Sequence, residues 1–247
     1  MTNSWLDASL FVGGFSNLKV QVTSNTQTTI TADSIVLKSS DAAYVANNVS
    51  LINTITISGA NGLDTGSEAS NTWYNVWIIY NGTTVASLLS LSTTNPIMPS
   101  GYTYKARVGA VRNDGSSNLW RTLQYNQDAD IIVGTNPATI IKMANGTTSN
   151  TSVPLDAISI SNFVPPTASR IRGYVMARAG RAGAAPNNNY GAYGLSNAPP
   201  VSVFSIGTDT ASSNTFDFAL EDTNIYWFCS PAGDGGYIVA SGWRENL

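Results

Sequence analysis

The segment from Trp73 to Tyr80 constrains the fold more than any other part of the chain. In an extended backbone Trp73, Asn75, Trp77 and Ile79 fall on one face, and Tyr74, Val76, Ile78 and Tyr80 on the other. A strand that is apolar on both faces has to be covered from both sides, so the fold must build layers around it. The run stops at Asn81-Gly82, two residues that accept positive φ and favour a two-residue type I′ turn. Thr83 to Leu89 then returns as the partner strand.

The same period of two recurs along the chain, in short runs of threonine, valine, isoleucine and aromatics divided by Asn, Gly, Asp and Ser. After Pro96 and Pro99-Ser100-Gly101, residues Tyr102 to Arg112 alternate, with Tyr104, Ala106, Val108 and Ala110 inward and Lys105 and Arg107 outward. A turn over Asn113 to Asn118 is expected to bring Leu119 to Tyr125 back as a hairpin partner, with Leu119, Leu123 and Tyr125 on one face. Upstream, Leu18 to Thr23, Thr28 to Leu37 and Val49 to Ser58 read as strands, the last with an uncertain register. Downstream, strands are expected around Thr139 to Met143 and over Leu155–Phe163, Arg170–Arg178, Val201–Ile206, Thr215–Leu220, Ile225–Cys229 and Tyr237–Trp243. Nothing offers a long amphipathic helix, although Ser4 to Phe11 could form one helical turn. The expected class is all-β: an antiparallel sandwich or jelly-roll-like fold with little or no helix. It is expected as two closely packed β lobes, an N-terminal β-rich lobe over 1–150 and a C-terminal β-sandwich lobe over 151–247. Between strands of the second lobe, Ala179 to Pro200 shows no period, and long aperiodic loops are usually functional or held by a partner.

Composition narrows the chemistry. Histidine is absent and Cys229 is the single cysteine, so no Ser-His-Asp or Cys-His arrangement can form within one chain. The same counts exclude a Cys/His zinc site and an intrachain disulfide. Twelve Lys and Arg against fifteen Asp and Glu give a net charge of −3, so a nucleic-acid partner is not expected. No apolar run is long enough to insert into a membrane, and no basic residue precedes Lys19 as a secretory leader would require. Charged residues are only 11%, whereas Ser, Thr and Asn number 29, 26 and 25. The surface is therefore expected to be built of hydroxyls and amides.

Several residue groups merit consideration as sites. Glu68, Glu221 with Asp222, and Asp128 with Asp130 are the carboxylates from which a glycosidase pair could be drawn, but their turn-like contexts suit capping equally. Asp128-x-Asp130 and Asp234-Gly235-Gly236 lack the spaced ligand run that calcium sites show, and no cofactor is expected. Arg170, Arg172, Arg178 and Arg181 hold half of the eight arginines within twelve residues. They read either as a solvated strand edge guarded by charge or as a subunit or virion interface pairing carboxylates. Asn187, Asn188, Asn189, Tyr190 and Tyr193 combine amides with tyrosines, a mixture that suits carbohydrate recognition or a flexible contact loop. Cys229, within Tyr226-Trp227-Phe228-Cys229, reads as a buried apolar residue.

Three stretches carry a resemblance: Gly59-Ala60-Asn61-Gly62-Leu63-Asp64-Thr65-Gly66, Asn71-Thr72-Trp73-Tyr74, and the run from Met98-Pro99-Ser100-Gly101 to Val108-Gly109-Ala110. Together they resemble tailed-bacteriophage virion proteins of the tail-fibre-like or uncharacterised structural type. The resemblance covers mainly residues 55–125, with a weaker echo in Phe163 to Ala168. Its motifs are turns and strand faces, so it implies no catalytic residue. It implies a non-enzymatic virion structural protein, made in the host cytoplasm and exposed on the particle. The expected role is a tail-associated, fibre-like or host-surface-binding module acting as a homotrimer. Its partners would then be itself, other virion proteins of the tail or capsid, and a host surface glycan. The alternatives are a capsid decoration (cement) protein and a polysaccharide-cleaving tail enzyme.

Overall fold

The computed structural model describes residues 14–146, 148, 154–178, 180–188, 201–205, 211–230 and 236–247. The chain is all-β, and among the described residues there is no helix. It divides into two compact units, Met1–Asn136 with Leu247, and Pro137–Asn246. The expected helical turn at Ser4 to Phe11 lies outside the described residues.

Among its described residues the first unit contains ten strands: β1 (Phe15–Ser16), β2 (Lys19–Val22), β3 (Gln27–Lys38), β4 (Ala43–Thr54), β5 (Gly62–Leu63), β6 (Thr72–Tyr80), β7 (Val85–Ser90), β8 (Tyr104–Asn113), β9 (Thr122–Tyr125) and β10 (Asp128–Ile131). They form two layers, β4-β3-β2-β9-β10 and β8-β6-β7-β5, linked by the single pair Lys38 and Lys105. Strand β1 adds a short antiparallel pairing to β3. One apolar core takes side chains from both layers, including Val20, Ile30, Ile35 and Val49 from the first and Tyr74, Val76, Ile78, Leu89 and Val111 from the second. Such face-to-face packing defines a sandwich.

Strand β6 lies between β7 and β8 and is covered on both faces, as its sequence requires. Its far face puts Trp77 and Ile79 with Ala86 and Leu88 beneath Ala60, Met98 and Tyr102. The β6–β7 connection differs from the expected two-residue turn. Tyr80 pairs with Val85, which leaves four residues in the loop. The Asn81 side chain accepts the Thr83 and Thr84 amides at 3.0 and 2.7 Å, and only Gly82 takes positive φ. Asn81 thus acts as a side-chain cap, which stabilises a longer loop without a second left-handed residue.

The expected β8–β9 hairpin does not form. After the isolated bridge between Asn113 and Leu119, β9 leaves for the other layer and pairs with β2 and β10. Its expected face is reversed too: Thr122 and Gln124 are buried, while Tyr125 is 55% exposed. Gln124 earns its interior position by donating from Nε2 to the Val108 carbonyl (2.8 Å) and to the Asn126 carbonyl (2.7 Å). It thereby braces the two layers through its amide nitrogen, while its buried Oε1 has no hydrogen-bond partner among the described residues. A Cβ on Gly109 would run into the Gln124 side-chain oxygen, so glycine is what makes room for the brace.

The second unit contains β11 (Ile141–Asn145), β12 (Asp156–Ser159), β13 (Ala168–Arg178), β14 (Gly180–Ala185), β15 (Val201–Ser205), β16 (Ala211–Ala219), β17 (Asn224–Ser230) and β18 (Tyr237–Glu245). Every pairing among them is antiparallel, in the orders β11-β18-β13-β16 and β12-β17-β14-β15. The division between units falls after Asn136, so β11 pairs inside the second unit rather than in a lobe ending at residue 150. The aperiodic stretch from residue 179 also contains a strand. Strand β14 runs between β17 and β15, and Ala182, Gly183, Ala184 and Ala185 are all buried. Small side chains on both faces leave no hydrophobic alternation to read, yet they allow neighbouring layers to come close.

Candidate functional site

The arginines separate by sheet. Arg170, Arg172 and Arg178 alternate along β13, whereas Arg181 lies on β14 in the other sheet, its guanidinium 5.8 Å from the Phe228 ring. Arg170 Nε pairs with Asp217 Oδ1 at 2.7 Å, and its Nη2 donates to the Asp217 carbonyl at 2.9 Å. Arg172 Nη2 donates to the Trp243 carbonyl at 3.4 Å, and Arg178 is exposed. Strand β13 is flanked by β16 and β18, so these charges do not guard a sheet edge. Arg170 and Arg172 brace one sheet face across its strands.

The amide-rich segment also holds structure. Asn188 accepts the Leu155 amide at 2.7 Å and donates to the Leu155 carbonyl at 3.3 Å, copying a strand pairing with its side chain. Asn187 Nδ2 donates to Glu221 Oε1 at 2.8 Å. Asn189, Tyr190 and Tyr193 lie outside the described residues. Asp222 accepts the Asn224 amide within its own turn. Asp128 and Asp130 sit on β10, and Glu68 is half-buried ahead of β6. Among the described residues no group of three His, Cys, Asp or Glu could hold a metal ion. Asp234 and Gly235 lie outside them.

Two buried charged groups were not legible in the sequence. Glu245 is 1% exposed, and its two oxygens accept from the Trp243 indole (2.9 Å) and the Thr167 hydroxyl (2.8 Å). Arg112 places its guanidinium 5.7 Å from the Trp73 ring and 5.9 Å from the Trp120 ring. Burial pushes the Arg112 pKa down, partly opposed by the charge of Asp114. Cys229 is buried, and burial pushes its thiol pKa up against a hydrogen bond with the Gly236 backbone. A raised pKa keeps the thiol protonated and unreactive.

Among the described residues, a polar cleft lies in the first unit. Thr23, Ser24, Asn25 and Thr26 form the β2–β3 turn, and with Arg121 and Thr135 they line a cleft of about 410 Å³. The turn is fixed from both sides: Leu119 N donates to the Asn25 carbonyl at 2.8 Å and Ile55 N to the Thr26 carbonyl at 2.9 Å. Arg121 is fixed as well, its amide donating to the Asn136 carbonyl and its carbonyl accepting from Ile132 N. The Asn136 side chain in turn donates to the Asn118 and Leu119 carbonyls. Four consecutive hydroxyl and amide residues between two strands look like any turn in the sequence. Only the return of residues 121 and 135 to the same place makes them a site. In comparisons with known proteins, no family model, no curated protein sequence and no solved structure matches the chain.

Proposed function

We propose that this chain is a non-enzymatic bacteriophage virion protein, a tail-associated, fibre-like module that acts as a homotrimer and binds the host surface. The observation that carries the reading is the strand order of the second unit. We read the orders β11-β18-β13-β16 and β12-β17-β14-β15 as the two halves of an eight-stranded jelly roll, a reading that the antiparallel pairings support. That architecture recurs in viral capsid and lectin domains, which agrees with the resemblance of residues 55–125 to phage virion proteins. Because fold alone does not assign function, the polar cleft of the first unit adds the local support: a pre-shaped, hydroxyl-lined surface suited to binding.

The capsid-decoration reading is favoured by a different observation. Among the described residues β4 pairs with β3 alone, and its twelve residues contain no charge. A long uncharged edge offers unpaired backbone groups to another chain. Adsorption decides between the readings. The purified protein is expected to bind susceptible cells and block phage attachment. Binding to phage heads but not to cells would replace the tail reading with decoration. Sedimentation is expected to give a trimer, and a monomer across micromolar concentrations would remove that part of the proposal.

A further inference from the structure

We propose that the cleft formed by Thr23, Ser24, Asn25, Thr26, Arg121 and Thr135 binds a carboxylated sugar, with the Arg121 guanidinium on the carboxylate and the surrounding hydroxyls and amide on the ring hydroxyls. The inference deepens the host-surface reading and rests on it. Its first support is the state of Arg121: among the described residues its guanidinium makes no hydrogen bond, ion pair or ring contact, while its backbone is held at both ends. A planar fork of donors left open in a concave surface matches a carboxylate in geometry as well as charge.

The lining supplies the rest of the chemistry. Among the described residues the Thr26 and Thr135 hydroxyls and the Asn25 side-chain amide, all lining the cleft, make no hydrogen bond. Ser24 Oγ accepts the Thr26 amide at 3.3 Å, which leaves its own proton to donate. Thr23 Oγ1 reaches the Gln27 carbonyl only at 3.5 Å. Hydroxyls and amides that both donate and accept are the groups that read sugar hydroxyls. The lining contains no carboxylate, which argues against a cation, and no aromatic ring, which argues against recognition by stacking. At about 410 Å³ the cleft lies within the roughly 300–1,000 Å³ of small-molecule sites. Since the backbone of the rim is already hydrogen-bonded in place, little ordering is needed on binding.

The test titrates the full chain with methyl β-D-glucuronide by protein-observed NMR, beside methyl β-D-glucoside and inorganic phosphate. The glucuronide is expected to shift resonances of residues 23–26, 121 and 135, with the glucoside at least about tenfold weaker, as charge-assisted bonds require. Arg121→Gln is expected to weaken glucuronide binding by about tenfold or more, and Arg121→Lys to restore part of it, because lysine keeps the charge without the fork. Both variants are expected to melt like the parent, since among the described residues the Arg121 side chain makes no hydrogen bond, ion pair or ring contact. Equal binding of glucoside and glucuronide, or an unchanged affinity in Arg121→Gln, would overturn the assignment. Phosphate binding as tightly as the glucuronide would overturn the sugar-acid class in favour of a general anion site. Cell adsorption without glucuronide binding sinks the cleft and leaves the host-surface reading standing. Glucuronide binding without adsorption does the reverse.

Discussion

In the first unit, strands that follow one another in sequence pair with one another: β2 with β3, β3 with β4, β6 with β7, and β9 with β10. In the second, β14 with β15 is the only pairing of consecutive strands among the described residues, and Ile141 of β11 finds its partner in Ala240 of β18. Both units are built from antiparallel strand pairs, apart from the short parallel pairing of β5 with β7, yet they spend chain entropy differently. Short hairpins close small loops at low cost, whereas the second unit must close long ones before its contacts reward them. The two also manage their interiors differently. The first admits a braced amide, Gln124, between its layers; the second runs a Gly/Ala strand through one of its sheets.

The largest expected consequence is kinetic. In pulsed hydrogen exchange during refolding, amides of β3–β4 and β6–β7 should become protected well before those of β11 and β18. Simultaneous protection would break the contrast between local and distant pairing. Next in size is Gly173→Ala in the second unit, where a Cβ would meet the Val239 carbonyl and the Phe216 ring. Backbone cannot step aside as a side-chain end can, so a loss of about 3 kcal/mol or more is expected in chemical denaturation. A neutral effect there would mean that the sheet tolerates separation at β13 and β18.

Gln124→Ala should cost the first unit about 1–3 kcal/mol by the same measurement, because the buried Val108 carbonyl loses its donor. A smaller cost would show that water replaces the brace. Alkaline titration probes the second unit's interior. Burial raises the Cys229 pKa, so the folded state favours the neutral thiol. Its contribution to stability is complete below the ordinary thiol range, near about pH 8.5, and is lost as pH rises toward the folded value. The parent's Tm should therefore fall more steeply above about pH 8.5 than that of Cys229→Ser, and parallel curves would contradict a buried, protonated thiol. The smallest effect belongs to Arg170→Ala. With the pair 37% and 53% exposed, its loss should cost less than about 1 kcal/mol and vanish in high salt.

Some elements were legible for clear reasons. Strand β6 could be read because its two apolar faces repeat every second residue, and β16 because Phe216 and Phe218 alternate with Thr215 and Asp217. Register in β4 could not be read, because the buried set shifts from Thr28, Ile30 and Ala32 to Ile35 and Leu37 along β3. Opposite that step, β4 carries Asn48 with φ at 52°, and Asn17 donates to Asp33 at 2.6 Å. Asparagine abundance read as surface, yet five of the six described non-glycine residues with positive φ are asparagines, so part of it serves backbone geometry. Arg181 stands three residues from Arg178 in sequence, yet the passage from β13 to β14 carries it to another sheet. The cleft was invisible for the same reason, its two sides lying nearly a hundred positions apart.

The sequence by itself determined the all-β class, the doubly covered strand β6 and the exclusion of histidine-based chemistry, because period and composition act locally and need no knowledge of partners. Tertiary structure decided which strands pair, where the units divide, that Gln124 faces inward while Tyr125 faces out, and that Arg121 returns to the β2–β3 turn. Those outcomes depend on contacts between residues far apart in the chain, whose free energy appears only when the layers close on one another.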